Sequence, residues 1–207
     1  RLKGAPKRGI TVKEIAGLAH WSTHHLPEGM EPGLSATYLF NFPTATVPDE
    51  HDRVNSSNTY SFITDIMAVE VDRQTAEVSI LSYASVHDCG VILNPMLVEG
   101  QIYGSALHGI AGALYEELKY ADDGQFLTAS LMDYLCPTAM EAPTIDIDHI
   151  VTPSPFTVLG SKGCGESSTM SAPVVLASAV EDAVHPLGIE INELPITPTK
   201  LWRLMQA

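Results

Sequence analysis

One acidic residue closes a run of glycines ahead of an apolar segment. The stretch Leu159-Gly-Ser-Lys-Gly-Cys-Gly-Glu-Ser-Ser-Thr-Met-Ser171 places Gly160, Gly163 and Gly165 before Glu166. Glycines let a backbone approach a ligand closely, and a helix entrance beyond them adds unpaired N–H donors. The pattern therefore suits an oxygen-rich ligand held beside a single proton-accepting carboxylate. It is not a P-loop, because Lys162 precedes Gly163, no Gly-Lys-Ser/Thr follows, and Glu166 would repel a phosphate. An ordinary glycine-rich turn with a solvated glutamate fits the glycine pattern equally well.

A second stretch, Val86-His-Asp-Cys-Gly-Val-Ile-Leu-Asn-Pro-Met-Leu-Val-Glu-Gly-Gln101, reads as a strand ending at Asp88, a turn at Gly90 and a pause at Asn94-Pro95. A long helix opens near Gln101, whose amide would then face a ligand. Local sequence alone favours the simpler reading, with Asn94-Pro95 as turn chemistry and Gln101 as a polar residue at a helix start. His20-x-x-x-His24 lacks a third ligand motif such as HExxH. Cys164, paired with His87 or His108, would make a Cys–His hydrolase, although glycine crowding favours a small packed thiol. Glu116-Glu117 and Asp122-Asp123 read as a solvated helix end and turn.

The elements that must position these residues follow from periodicity. Val12, Ile15, Ala16 and Ala19 lie at helical spacing behind Thr11 as N-cap, and Leu34–Phe42 is rich in strand formers. The polar segment from Pro43 to Asn58 reads as an exposed boundary. Tyr60–Val71, a turn at Asp72–Ala76 and the alternation of Glu77–Tyr83 predict an antiparallel hairpin. Glu99–Tyr120, with many small residues, predicts one long buried helix. Pro173–Val184, with Ser171 as N-cap, predicts another, and Thr197-Pro198 opens a terminal helix. The expected fold is α+β, a mixed or antiparallel sheet packed by helices.

The chain has 207 residues, room for one large domain or two small lobes, with 45% hydrophobic and 17% charged residues. That composition supports a sizeable core and excludes intrinsic disorder. With 11 Lys+Arg against 25 Asp+Glu, the net charge of −14 argues against nucleic acid as a partner. No apolar run approaches the length of a membrane span, and no signal-peptide pattern opens the chain. Three widely spaced cysteines, Cys89, Cys136 and Cys164, suggest neither a disulfide framework nor a zinc site, so a reducing, cytoplasmic location is expected. A start at Arg1 rather than Met leads us to expect a piece of a larger assembly.

Taken together, these motifs resemble the C-terminal part of the catalytic large subunit of molybdenum hydroxylases of the xanthine oxidase and aerobic carbon monoxide dehydrogenase type. The resemblance runs from roughly Phe62 to Leu204. It rests on Val69-Glu-Val-Asp-Arg-Gln-Thr-Ala-Glu-Val78, His87-Asp-Cys-Gly90, Asn94-Pro-Met-Leu-Val-Glu-Gly-Gln101, Glu116-Glu117, Met132-Asp-Tyr134, Gly160-Ser-Lys-Gly-Cys-Gly-Glu166 and Leu194-Pro195, in family order. It implies a molybdopterin-bound molybdenum, expected in the cytosine dinucleotide form, with no direct protein ligand to the metal. Glu166 resembles the family's general base toward the metal-bound hydroxyl, and its carboxylate is expected in an enclosed site. Gln101 resembles the glutamine at the molybdenum oxo region. Gly160, Lys162, Gly163, Cys164 and Gly165 resemble the cofactor-facing loop.

The resemblance further implies residues 1–58 as an N-terminal helix, strand and loop segment and 59–207 as the molybdopterin-binding domain. The implied activity is oxidation of a small organic substrate (an aldehyde, purine or N-heterocycle) or of carbon monoxide, with oxygen derived from water. The chain has no Cys-x4-Cys-x2-Cys run, so the [2Fe–2S] cluster and FAD are expected on partner subunits, beside the remainder of the molybdenum subunit. A non-catalytic lobe of such an enzyme is the alternative.

Overall fold

The computed structural model describes residues 4, 7–41 and 44–206. It divides into two compact units, Arg1–Asn41 and Phe42–Ala207. In the first, helix α1 spans Val12–His20 and opens on the expected Thr11 cap. The Thr11 hydroxyl accepts from the Glu14 N–H while the Glu14 carboxylate accepts from the Thr11 N–H, so two otherwise orphaned donors are satisfied reciprocally. The strand expected at Leu34–Phe42 does not form over 34–41; Phe42 and Pro43 lie outside the described residues. Strand propensity needs a partner edge, and the described residues of the first unit form no strand that could offer one.

The second unit holds the sheet. Strand β1 (Phe62–Val71) pairs antiparallel with β2 (Val78–Asp88), as the hairpin pattern predicts, with a bulge at Ala68/Val69. The polar 44–58 segment belongs to this unit: the Asn55 N–H donates to Thr46 Oγ1, and the Asn58 amide donates to the Phe156 carbonyl. A third strand, β3 (Ile145–His149), pairs parallel with β2, so the sheet is mixed, in the order β1-β2-β3. The period-2 pattern Ile145-Asp-Ile-Asp-His149 was its signal, unread in sequence because the segment is short.

Helix α2 spans Pro95–Leu114 rather than Glu99–Tyr120. Asn94 caps it by accepting from the Leu97 N–H, and Pro95 takes the first turn, where a missing N–H costs nothing. Gln101 therefore stands in the second turn. Helix α3 spans Ser167–Val184, beginning six residues before the expected Pro173. Ser171 is no cap: its hydroxyl donates to the Asp65 carboxylate. Pro173 sits inside the helix with its ring packed where Gly109 of α2 has no side chain. The last helix, α4, spans Pro198–Gln206 as expected.

One face of the sheet carries the core. Met67 of β1 and Tyr83 of β2 bury against Ala106, Ile110 and Ala113 of α2 and Ala172, Leu176 and Val180 of α3. Toward the other end of the same face the residues turn polar: Asp65, Ser85 and His87. That polar end lies under the first turn of α3, where the glycine loop arrives.

Candidate active site

The loop from Gly160 to Glu166 is suspended from the end of β2. The Lys162 N–H donates to the Cys89 carbonyl at 2.8 Å, and the Gly160 carbonyl accepts from Val91 and Ser154, each at 3.0 Å. Gly160 has φ +72°, and a Cβ there would stand 3.0 Å from both Pro153 and Val91; at Gly90 a Cβ would stand 2.3 Å from the Gly160 carbonyl oxygen. Glycine at both positions is what lets the two chain segments touch. The Ser61 hydroxyl, just before β1, donates to the Gly163 carbonyl.

Lys162 points away from open space. Its ammonium lies 3.3 Å from Asp88 Oδ1, with side chains only 8% and 10% exposed, and 5.7 Å from the centre of the Phe62 ring. Burial works to raise the Asp88 carboxyl, but hydrogen bonds from Thr152, the Gly90 N–H and Lys162 together hold it down to about 2. The pair fixes the loop to the strand end.

Beyond Lys162 the loop is open. Among the described residues, the N–H groups of Gly163, Cys164, Gly165 and Glu166 donate to no protein acceptor. Gly163 has free space where a Cβ would be, while a Cβ on Gly165 would lie 3.6 Å from Gln101 Oε1. Gln101 and the loop are thus brought together, as the sequence suggested. Glu166 occupies the N-cap position of α3, with its carboxylate neither capping the helix nor paired among the described residues. It is exposed rather than enclosed: among the described residues, none covers it. Four adjacent free donors and the Gln101 amide can hold the oxygens of a pterin-type group beside a free carboxylate that can accept a proton, so the residues present fit the implied group.

Cys164 does not pair with a histidine. Its thiol neighbours that of Cys89, whose own titration is pushed up by burial and by Cys164. Both ring nitrogens of His87 lie against serine hydroxyls, which leaves it no lone pair directed at a thiol. The hydrolase arrangement is therefore absent among the described residues. Sequence reasoning missed Asp65, Ser61, Ser85, Ser167 and Ser168, whose isolated hydroxyls and lone acid carry no spacing signal.

The family model described as molybdopterin cofactor-binding domain matches residues 1–143. The chain is 38% identical over 200 residues to the nicotine 6-hydroxylase large subunit of Paenarthrobacter nicotinovorans, covering 97% of this chain and 23% of that one. It is 33% identical over 206 residues to the carbon monoxide dehydrogenase large chain of Hydrogenophaga pseudoflava, covering 100% and 24%. Among solved structures it superposes on quinoline 2-oxidoreductase from Pseudomonas putida 86 with a TM-score of 0.82 and 37% identity, over 98% of this chain and 24% of that one. The chain thus spans about a quarter of the length of these relatives. The likeness extends beyond the Phe62–Leu204 stretch that carries the sequence motifs. On the match across residues 1–143, the shared fold and a loop that fits the cofactor, the chain belongs to the molybdopterin cofactor-binding domain family of the molybdenum hydroxylases.

Proposed function

We propose that this chain forms part of the catalytic subunit of a molybdenum hydroxylase that oxidises an electron-poor aromatic N-heterocycle, with residues 59–207 as its cofactor-binding part. The observation that carries the reading is the free Glu166 carboxylate set beside the unpaired N–H groups of 163–166 and the Gln101 amide. The substrate class is supported by the higher identity to nicotine 6-hydroxylase and quinoline 2-oxidoreductase, 38% and 37%, than to the carbon monoxide dehydrogenase chain, 33%. The molybdenum group, when bound, supplies the two-electron oxidant and the place where a water-derived oxygen is activated.

The chain's own residues supply geometry and a proton acceptor. Glu166 would take the proton from the attacking water-derived oxygen onto a carboxylate oxygen as that oxygen bonds to the ring carbon, while the C–H bond at that carbon breaks and its electron pair passes to the oxidant that the bound cofactor would supply. The N–H groups of Gly163, Cys164 and Gly165 hold the cofactor, and Gln101 orients it from α2. Gly160 shapes the loop, and Lys162 acts by bracing it against Asp88. The remainder of the molybdenum subunit covers Glu166, and electrons leave through iron–sulfur and FAD subunits. We assign the cofactor to the cytosine dinucleotide form and the enzyme to the cytoplasm, in keeping with three free thiols. Among the described residues no helix is long and apolar enough to cross a membrane.

Glu166→Gln keeps the size of the side chain and removes its basicity. In the complete enzyme, assayed with quinoline and nicotine, kcat is expected to fall about 10²–10⁴-fold with molybdenum content unchanged. Turnover within a few-fold of wild type would overturn the assignment of the base. Faster oxidation of carbon monoxide than of either heterocycle would overturn the substrate class.

A further inference from the structure

Beneath the first turn of α3 lies a chain of hydrogen bonds that the reaction as described does not use. The Asp65 carboxylate accepts from three hydroxyls: Tyr83 at 3.1 Å, Ser85 and Ser171. Ser85 Oγ lies 3.0 Å from His87 Nε2, and Ser168 Oγ lies 3.2 Å from the same nitrogen. On the far side of the ring, Ser167 Oγ lies 3.2 Å from Nδ1 and also 3.2 Å from the Cys164 carbonyl. His87 is 1% exposed, so all these groups must satisfy one another.

Counting protons along this chain leaves one arrangement. A carboxylate only accepts, so the Ser85 proton is committed to Asp65. Nε2 must then carry the proton it shares with Ser85. Ser168 Oγ, on the same nitrogen, then accepts from that proton as well. Burial disfavours the charged imidazolium and outweighs the opposing pull of Asp65, while neighbouring His149 acts in the same direction as burial, so the ring stays neutral. Nδ1 is left as an acceptor, and among the described residues the Ser167 hydroxyl is the group within hydrogen-bond distance of it.

We propose that Asp65, through Ser85, fixes the Nε2–H tautomer of His87, which receives the Ser167 hydroxyl and so holds the entrance of α3, and with it Glu166, in place. His87 and Ser167 are then positioning residues. Ser167 is the joint: its single proton is directed either to Nδ1 or to the Cys164 carbonyl, and the tautomer of His87 selects between them. Protonation of Nδ1 would reverse that bond and turn the Ser167 proton toward the glycine loop. Asp65, some hundred residues away in sequence, thereby determines how the last turn before the base is held.

The test uses the complete enzyme carrying Ser167→Ala, Ser167→Thr and Asp65→Asn. Amide hydrogen exchange in the 160–170 segment is read in both the cofactor-free and the loaded protein. Kinetics with quinoline supply a second readout, and only that arm rests on Glu166 acting as the base. Ser167→Ala is expected to speed exchange in this segment at least several-fold with that of β1 and β2 unchanged. It should also lower kcat by one to two orders of magnitude, about what a small misplacement of a catalytic group costs, with KM little altered. Ser167→Thr, which keeps the hydroxyl, should recover most of both. Asp65→Asn frees the Ser85 proton and should reproduce the Ala exchange pattern if the variant retains the wild-type circular dichroism. Unchanged exchange in Ser167→Ala, or a Thr variant no better than Ala, would overturn the proposal. A fully active Glu166→Gln enzyme would instead remove the base while leaving the exchange result to stand by itself.

Discussion

A lysine inside a glycine loop suggests a cation aimed at phosphate, yet Lys162 turns its ammonium inward to Asp88. At this depth the geometry decides the sign of the effect. Two charges with side chains only 8% and 10% exposed lose hydration, and removing one leaves the other buried without compensation. Asp88→Asn is therefore expected to destabilise the protein by about 3 kcal/mol, a size typical of breaking a buried pair. Equilibrium unfolding in urea measures it; a loss below about 1 kcal/mol would mean that the pair contributes as little as an exposed one. The acid dependence follows from the same residue. Its carboxyl is held down to about 2 in the folded protein against an ordinary value of 3.8, so the folded state binds the proton less readily than the unfolded chain. The stabilisation is complete above 3.8 and is lost as the pH falls from there toward 2. An acid unfolding series should show this component in the wild type and not in Asp88→Asn.

The crossing of α2 and α3 sets where Glu166 stands, and one glycine sets the crossing. A Cβ on Gly109 would lie 2.9 Å from Ala172 Cβ and Pro173 Cδ and 3.0 Å from the Ser168 carbonyl. None of these is the free end of a flexible side chain, so the helix itself must move. Gly109→Ala gains about 1 kcal/mol of helix propensity and loses about 1–3 kcal/mol to overpacking, and the clash should prevail. A lower melting temperature and faster hydrogen exchange across Ser167–Ala172 are expected; a variant more stable than wild type would show that the helices do not meet as described. This crossing also explains what could be read beforehand. The hairpin was visible because alternation reports burial on one face, and α1 because Thr11 and Glu14 form a local cap. The start of α3 was not, because Ser167, Ser168 and Ser171 resemble a polar loop until Asp65 and His87 satisfy their hydroxyls from the sheet. The glycine loop and Glu166 were singled out by spacing and Gln101 by the family resemblance, whereas the inward turn of Lys162 depends on an acid 74 positions earlier in the chain, which no local pattern announces.

At the level of the whole molecule, a net charge of −14 coexists with large apolar side chains left in the open, among them Leu131, Val158 and Leu159. Isolated exposed leucines need no explanation, but apolar groups beside a candidate site do. Met170, 72% exposed, stands beside the candidate site in the first turn of α3, four residues after Glu166, and Met132 and Met140, in the segment between α2 and β3, are 87% and 89% exposed. A chain that spans about a quarter of the length of its relatives offers such surfaces to the remainder of the subunit in the proposed enzyme. Burial of a methionine side chain is favourable by about 1.5–3 kcal/mol, so covering all three would offset part of the ordering cost of assembly. Thioethers report their own accessibility through oxidation to the sulfoxide. In the complete enzyme treated with dilute hydrogen peroxide, all three methionines should oxidise far more slowly than in the same protein unfolded in guanidinium, as peptide mass spectrometry would measure. Equal rates in the two states would mean that these faces remain in water and, at Met170, that Glu166 gains no enclosure from that side.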